Sequence, residues 1–384
     1  MSPNARRRRV LAASAAGLAG VVGLAGCLGT GGTGGGSTAT AAETTRTPTA
    51  TDATDESEST EAYSSDTSVL PTRETALPIE WSFERLRDET LSGGPPKDGI
   101  PSVDDPSFWS VSEADDFLAP GDVVFSVAGE EDVKAYPQRI LVWHEIANDV
   151  IDGENVTVSY CPLTGTAMGF FRGETTFGVS GRLVNSNLVM YDRETDSRWP
   201  QVLATAMSGP FEGQSLTEFP VTWTTWDAWK AAHPDTVVLS EETGHVRNYS
   251  RDPYGQYNPP RGYYDNTRTL FAPLERDTRF EAKTVFFGAR PPEGAIAFRK
   301  QTLRREGLLT GTVGEATFHA VYDPTFDTAH VYRGDGTALA YSEGQVTADG
   351  ETASPDALAL ERVVDFDAMW FAWAGFYPET VVVR

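Results

Sequence analysis

The feature that most narrows the fold is that the chain matches itself. Trp226-Asp-Ala-Trp229-Lys-Ala-Ala-His233-Pro234-Asp-Thr236 aligns with Trp370-Phe-Ala-Trp373-Ala-Gly-Phe-Tyr377-Pro378-Glu-Thr380 at an offset of 144 residues. Val133-Lys-Ala135-Tyr136 aligns with Ala295-Ile-Ala297-Phe298 at an offset of 162, and Thr176-Phe177 with Thr317-Phe318 at an offset of 141. Self-similarity of this kind means that one supersecondary unit is used twice. The paired tryptophans stand three apart, on one face of a helix that the following proline stops. Such a pair reads as core packing rather than as a ligand box.

Most of the remaining sequence has strand character. Short runs rich in Val, Phe and Tyr, bounded by Gly, Asn and Pro, predict strands at Asp122–Ala128, Val133–Tyr136, Val156–Tyr160, Ala167–Arg172, Thr175–Leu183 and Leu188–Asp192. Asn185-Ser186-Asn187 supplies the positive-φ positions of a hairpin turn between the last two. The fold predicted is mainly β with a few helices (a β-rich α+β class). It is built from related halves at about 118–240 and 282–384, each closed by a Trp-rich helix and a strand. From Val133 to Thr176 is 43 residues, whereas Ala295 to Thr317 is 22. On this alignment the first half carries an insertion that contains Trp143-His144-Glu145 and the Cys161 turn, a scaffold with a site grafted on.

The stretch before the folded part is of a different kind. Residues 1–27 form a targeting segment: Arg7-Arg8-x-Val10-Leu11 is a twin-arginine pattern, followed by an apolar run from Leu11 to Ala25. That run is too short to cross a membrane comfortably. It ends in Leu24-Ala25-Gly26-Cys27, which resembles a lipobox, so Cys27 is expected to carry the lipid that anchors an extracytoplasmic protein to the cell membrane. Residues 28–75 are rich in Gly, Thr, Ser, Ala and Glu with almost no large apolar side chain, and predict a disordered stalk. The folded domain is expected from 76 to 384.

Charge limits the partners. With 55 acidic against 31 basic residues the net charge is −24, and the only lysines are Lys97, Lys134, Lys230, Lys283 and Lys300. An acidic, lysine-poor surface suits concentrated salt, where screening removes self-repulsion, and predicts a halophilic, haloarchaeal source. It also excludes nucleic acid, whose phosphates require basic patches.

One place carries distinctive chemistry. Once Cys27 is lipidated, Cys161 is the sole remaining thiol. It lies in a Pro/Gly turn, Tyr160-Cys161-Pro162-Leu163-Thr164-Gly165-Thr166. The reading pairs it with His144. Three alternatives follow beside that of an inert core cysteine. Cys161 is a nucleophile with His144 as base and Glu145, Asn148 or Asp149 as orienter; or Cys161 and His144 hold a transition metal or haem iron; or the thiol is a redox sensor. Trp143, Asn148, Thr164, Thr166, Arg182, Asn185, Asn187 and Asp192 are the expected lining of a polar pocket beside it. No motif requires a cofactor. A non-catalytic alternative places surface contacts on the long Tyr-rich loop 244–269.

These residues also carry a resemblance. Asp98-Gly-Ile-Pro101, Ala135-Tyr136-Pro137, Trp143-His144-Glu145-Ile146, the Tyr160–Thr166 turn, Phe177-Gly178-Val179-Ser180-Gly181, Asn185-Ser186-Asn187-Leu188, Met190-Tyr191-Asp192 and His233-Pro234-Asp235-Thr236 resemble the uncharacterised domain-of-unknown-function family 3179 from about Asp98 to Arg384. The resemblance implies no activity. Some members have a second cysteine three residues after the first; here that position is Thr164, so a CxxC redox pair is not expected.

Overall fold

The computed structural model describes residues 70–334 and 336–384. The predicted export signal, Cys27 and most of the predicted stalk lie outside them. The folded part begins before residue 76. Leu70 is buried, Thr72 bridges to Leu216, and the Arg73 N–H donates to the Ser215 carbonyl.

The fold is mainly β, with short helices. In the first half, Val123–Ala128 and Val133–Pro137 form an antiparallel hairpin. Thr222–Thr225 pairs antiparallel with its first strand, and Val237–Leu239 pairs parallel with its second. A second sheet runs in the order Glu218–Phe219, Thr166–Phe171, Glu154–Cys161, Ile146–Ile151. In the second half, Val285–Ala289 and Ile296–Arg299 make the hairpin, Asp365–Met369 pairs antiparallel and Val381–Val383 parallel. Its partner sheet runs Leu308–Val313, Ala316–Asp323, Thr328–Arg333, Glu361–Val363. These two pairs of sheets are strung in the same order, and the second half also carries a three-stranded sheet of its own, Leu339–Ser342, Gln345–Ala348 and Glu351–Ala353.

Their registers correct the expected position of the insertion. Cα partners correspond 162 residues apart from Val124↔Pro137 and Phe286↔Arg299 through Cys161↔Thr166 and Asp323↔Thr328. Phe219, paired with Gly169, corresponds to Val363, paired with Val331, so from Phe219 onward the offset is 144. The additional residues of the first half therefore lie after Phe171. They form the hairpin Phe177–Val184 with Asn187–Asp192 and the strand Arg198–Pro200. The Thr176-Phe177 match to Thr317-Phe318 was a coincidence of two residues. The Cys161 turn belongs to the scaffold, and its positional counterpart is Asp323.

The tryptophan spacing has a physical cause. The Trp229 indole N–H donates to the Thr236 hydroxyl at 3.0 Å, and that of Trp373 to Thr380 at 2.9 Å. Each bond ties the helix to the strand that follows it, so Trp and Thr must stand seven apart. All four helix tryptophans are essentially fully buried. One apolar cluster runs through both halves, from Cys161, Phe170 and Met190 to Phe286, Trp370 and Phe376. No helix among the described residues is long and apolar enough to cross a membrane.

Candidate functional site

Cys161 ends the strand Glu154–Cys161 and pairs with Thr166, closing the turn between them. The Gly165 N–H donates to the Cys161 carbonyl at 3.0 Å. Gly165 has φ +62, and a Cβ there would come within 2.9 Å of the Tyr257 hydroxyl, so this turn needs glycine twice over. The thiol is buried. Its sulfur accepts the Leu188 N–H at 3.4 Å, and its proton points to the Ser186 carbonyl at 3.8 Å. Both partners come from the Asn185-Ser186 hairpin turn, where φ is 54 and 61. Two consecutive left-handed residues are what a type I′ turn requires. The hairpin that distinguishes the first half thus supplies the backbone cradle for the sulfur.

Glu145 faces this thiol. Its backbone carbonyl accepts the Tyr160 N–H at 2.8 Å, which sets it beside the end of the Cys161 strand. The side chain is buried and makes no hydrogen bond among the described residues. Burial pushes its carboxyl up to about 8. Burial first, and then the charge on Glu145, push the Cys161 thiol up to about 11. Tyr254 is the third member: its hydroxyl is raised by burial and then by the charges of Glu145 and Cys161.

The backbone at Glu145 is strained. It caps the helix Gln138–His144 in the left-handed region at φ 59, its N–H donating to the Leu141 carbonyl. The corresponding helix, Lys300–Glu306, is capped by Gly307 at φ 76, with the matching bond to Leu303. Left-handed backbone suits glycine and costs a larger residue about 1–2 kcal/mol. Glu145→Gly is therefore expected to stabilise the fold by roughly 1 kcal/mol. A pH dependence goes with it. Between 4.5, the ordinary value, and about 8 the folded carboxyl keeps a proton that the unfolded chain has lost. Its contribution to stability is therefore full below 4.5 and falls as pH rises through about 8, with a slope of up to ~1.4 kcal/mol per pH unit. Denaturant titrations at both ends of that window should show the slope in the parent and its loss in Glu145→Gly.

His144 does not meet Cys161. Its Nδ1 bonds the Pro101 carbonyl at 2.7 Å and its Nε2 the Tyr249 hydroxyl at 2.6 Å. Burial lowers its pKa to about 4, so it is a neutral tether with both ring nitrogens occupied. This corrects its expected roles as base and as metal ligand. Asn148 is also structural: it joins Asp104, Thr157 and both backbone groups of Phe177. Trp143 bonds the Arg251 carbonyl. Asp192 holds the Thr195 turn and the Trp199 indole. Arg182 is exposed and lines another cleft.

Thr164, Thr166 and Asn187 do gather at the Cys161 turn, in a buried network centred on a residue the sequence did not flag, Gln201. Its Oε1 accepts from Thr166 at 2.6 Å and from Asn187 at 3.0 Å, and its Nε2 donates to Ser159 at 2.6 Å. Asn187 also donates to Thr164. Asn185 reaches the second half instead, donating to the Ala372 carbonyl and accepting the Leu274 N–H.

The Tyr-rich loop closes over this place. Tyr263 donates to the Leu163 carbonyl at 2.7 Å, and Tyr257 stacks on Tyr264 with centroids 3.7 Å apart. Tyr249, Tyr263 and Tyr264 are buried, so the loop points its rings inward rather than offering them as an aromatic contact surface. A cleft of about 1060 Å³ between the halves reaches Gly165, Tyr257 and Met369 at the edge of the Cys161 turn.

No group of three or more His, Cys, Asp or Glu among the described residues is arranged to hold a metal ion. Among known families, the one described as protein of unknown function (DUF3179) matches residues 97–380. No curated protein and no solved structure matches the chain.

Proposed function

We propose, on the premise that the chain belongs to the DUF3179 family, that it is an exported, lipid-anchored protein of the outer cell face whose working group is the Cys161 thiol. In this reading Glu145 is the proton acceptor and the tyrosine loop is the cover. The observation that carries it is Glu145 itself. A glutamate occupies a left-handed helix cap that is glycine in the other half, and its buried carboxyl lies near enough for its charge to raise the thiol. Strain of this kind is kept where surrounding structure has a use for it. Beneath the closed loop the thiol is protonated and inert. When the loop lifts and a carbonyl substrate enters from the adjoining cleft, the sulfur adds to its carbonyl carbon, the C=O π pair moves onto the oxygen, and the thiol proton passes to a Glu145 oxygen. Dithiol redox chemistry is less well supported, since the chain has 2 cysteines and the other is Cys27.

Alkylation of Cys161 in the full-length protein tests this. Tyr263→Phe, which removes the bond from the loop to Leu163, should speed iodoacetamide labelling. Glu145→Gln removes a negative charge beside the thiol, which lowers the thiol pKa and, were charge all that mattered, would also speed labelling at pH 8. A proton acceptor makes the opposite prediction: labelling of the Tyr263→Phe/Glu145→Gln double variant should be about 100-fold slower than that of Tyr263→Phe. A faster double variant would reduce Glu145 to a bystander charge and end the proposal.

A further inference from the structure

The second observation concerns a different face and is independent of Cys161. On a chain of net charge −24, a cleft of about 850 Å³ is lined by Arg87, Lys97, Arg182 and Arg198 and by no acidic residue. We infer that this cleft binds a small oxyanion: a molecule carrying two or more negative charges on phosphate or carboxylate oxygens.

The excess of charge is local and built into the fold. Arg87 follows Leu86, the buried residue of the helix Phe83–Asp88, and pairs with Glu212 at 2.7 Å while holding the Met207 carbonyl at 2.8 Å. Lys97 and Arg198 share one carboxylate, Asp196, at 2.7 and 2.9 Å. Arg182 makes no ion pair among the described residues. Four cations thus meet two carboxylates, both at the edge rather than in the lining, and two positive charges remain uncompensated. On a chain so acidic as a whole, a cleft whose charged lining residues are all cations is where the field would draw an anion in.

Arg182 is placed by backbone rather than by chance. The pairing of Phe177–Val184 with Asn187–Asp192 shifts register between Val179 and Arg182, after which Arg182 is held between Val189 on one side and Ser92 on the other. Gly181 lies within that shift at φ +72, and a Cβ there would lie 2.3 Å from the Pro95 carbonyl. The Pro95-Pro96 wall therefore packs directly on the strand and shapes the cleft opposite Arg182. Three guanidinium forks suit oxyanions, which they grip with two parallel N–H donors. The volume fits a small molecule.

Equilibrium dialysis of the full-length protein against inorganic pyrophosphate and against citrate, with KCl holding ionic strength constant, tests the inference. At least one of the two should bind saturably at one per chain, and the tighter of them assigns phosphate or carboxylate as the preferred group. Arg182→Ala should weaken that binding roughly tenfold or more, and Arg182→Lys, which keeps the charge without the fork, should recover only part of it. Arg304→Ala breaks an exposed pair with Asp327 elsewhere and should leave binding unchanged. Non-saturable uptake of both anions, or equal affinity in Arg182→Ala and Arg304→Ala, would overturn the assignment. Because Arg182 is exposed, loss of folding is not expected in its variants, and circular dichroism on the same samples verifies that.

Discussion

Replacing Arg290 by alanine is expected to destabilise the protein by ~3–5 kcal/mol. Arg290 follows the strand Val285–Ala289 of the second half and is buried. Its guanidinium donates to the Val202 carbonyl and to the carboxylate of Glu218, both in the first half. Each partner of the ion pair has only 2% of its side chain exposed. Burial holds the Glu218 carboxyl above its usual range in spite of the guanidinium beside it. Alanine would leave that carboxyl buried and unpaired, which costs far more than the pair contributes. The double variant Arg290→Met/Glu218→Leu should therefore recover most of the loss. Chemical denaturation in concentrated salt measures both. A double variant no more stable than Arg290→Ala would mean that the two halves are joined by something other than this pair.

The second large effect is expected at Trp373. The ring lies so close on the strand Val285–Ala289 that a Cβ on Gly288 would come within 2.0 Å of it. Trp373→Ala should cost ~3–5 kcal/mol through lost burial and the cavity left behind. Trp373→Phe keeps most of the contact and loses the bond to Thr380, for about 1 kcal/mol. Gly288→Ala should cost ~1–3 kcal/mol by forcing the same ring aside. Trp229→Ala, where the indole makes the same bond to Thr236, should match Trp373→Ala. A small effect at Trp373 together with a large one at Trp229 would show that the matching bonds do not do matching work.

Much of the architecture was legible because it depends on local signals. The strands from Val123 to Asp192, the Asn185-Ser186 turn and the helix beginning at Trp226 all rest on side-chain period and turn chemistry. The helix Gln138–His144 was missed. It is short, has no side-chain N-cap bond, and ends in Glu145 where a helix signal would be glycine. The strand Ile146–Ile151 was hidden with it, and so was the correct alignment of the halves.

Of the residues the sequence grouped around Cys161, Thr164, Thr166 and Asn187 gather at its turn, whereas Trp143, His144, Asn148, Arg182, Asn185 and Asp192 are engaged elsewhere. Sequence adjacency put His144 and Glu145 together beside Cys161, but a helix cap turns neighbouring residues in different directions. Glu145 caps the helix in the left-handed region with its carboxyl buried and its charge felt at the thiol, while His144, still helical, is tied to Pro101 and Tyr249. Gln201 carried no signal, because a glutamine becomes a network hub only through contacts distant in sequence. Arg182 was singled out correctly as a polar residue of the hairpin and placed on the wrong side of it. Its strand is paired with Ser92 and Val189, and the side chain lines the cleft walled by Pro95 and Pro96.

The helix Trp370–Phe376 is buried at every position, and the Trp81 indole donates to its Gly375 carbonyl across 294 residues of chain. The ribosome must therefore make nearly all of the described chain before the common core can close. Until then, the surfaces meant for Trp370 and Trp373 are exposed on the nascent protein. Contacts so distant in sequence slow folding and lengthen the time in which partly made chains can associate wrongly. A truncation late in the sequence should thus keep the common core from closing at all.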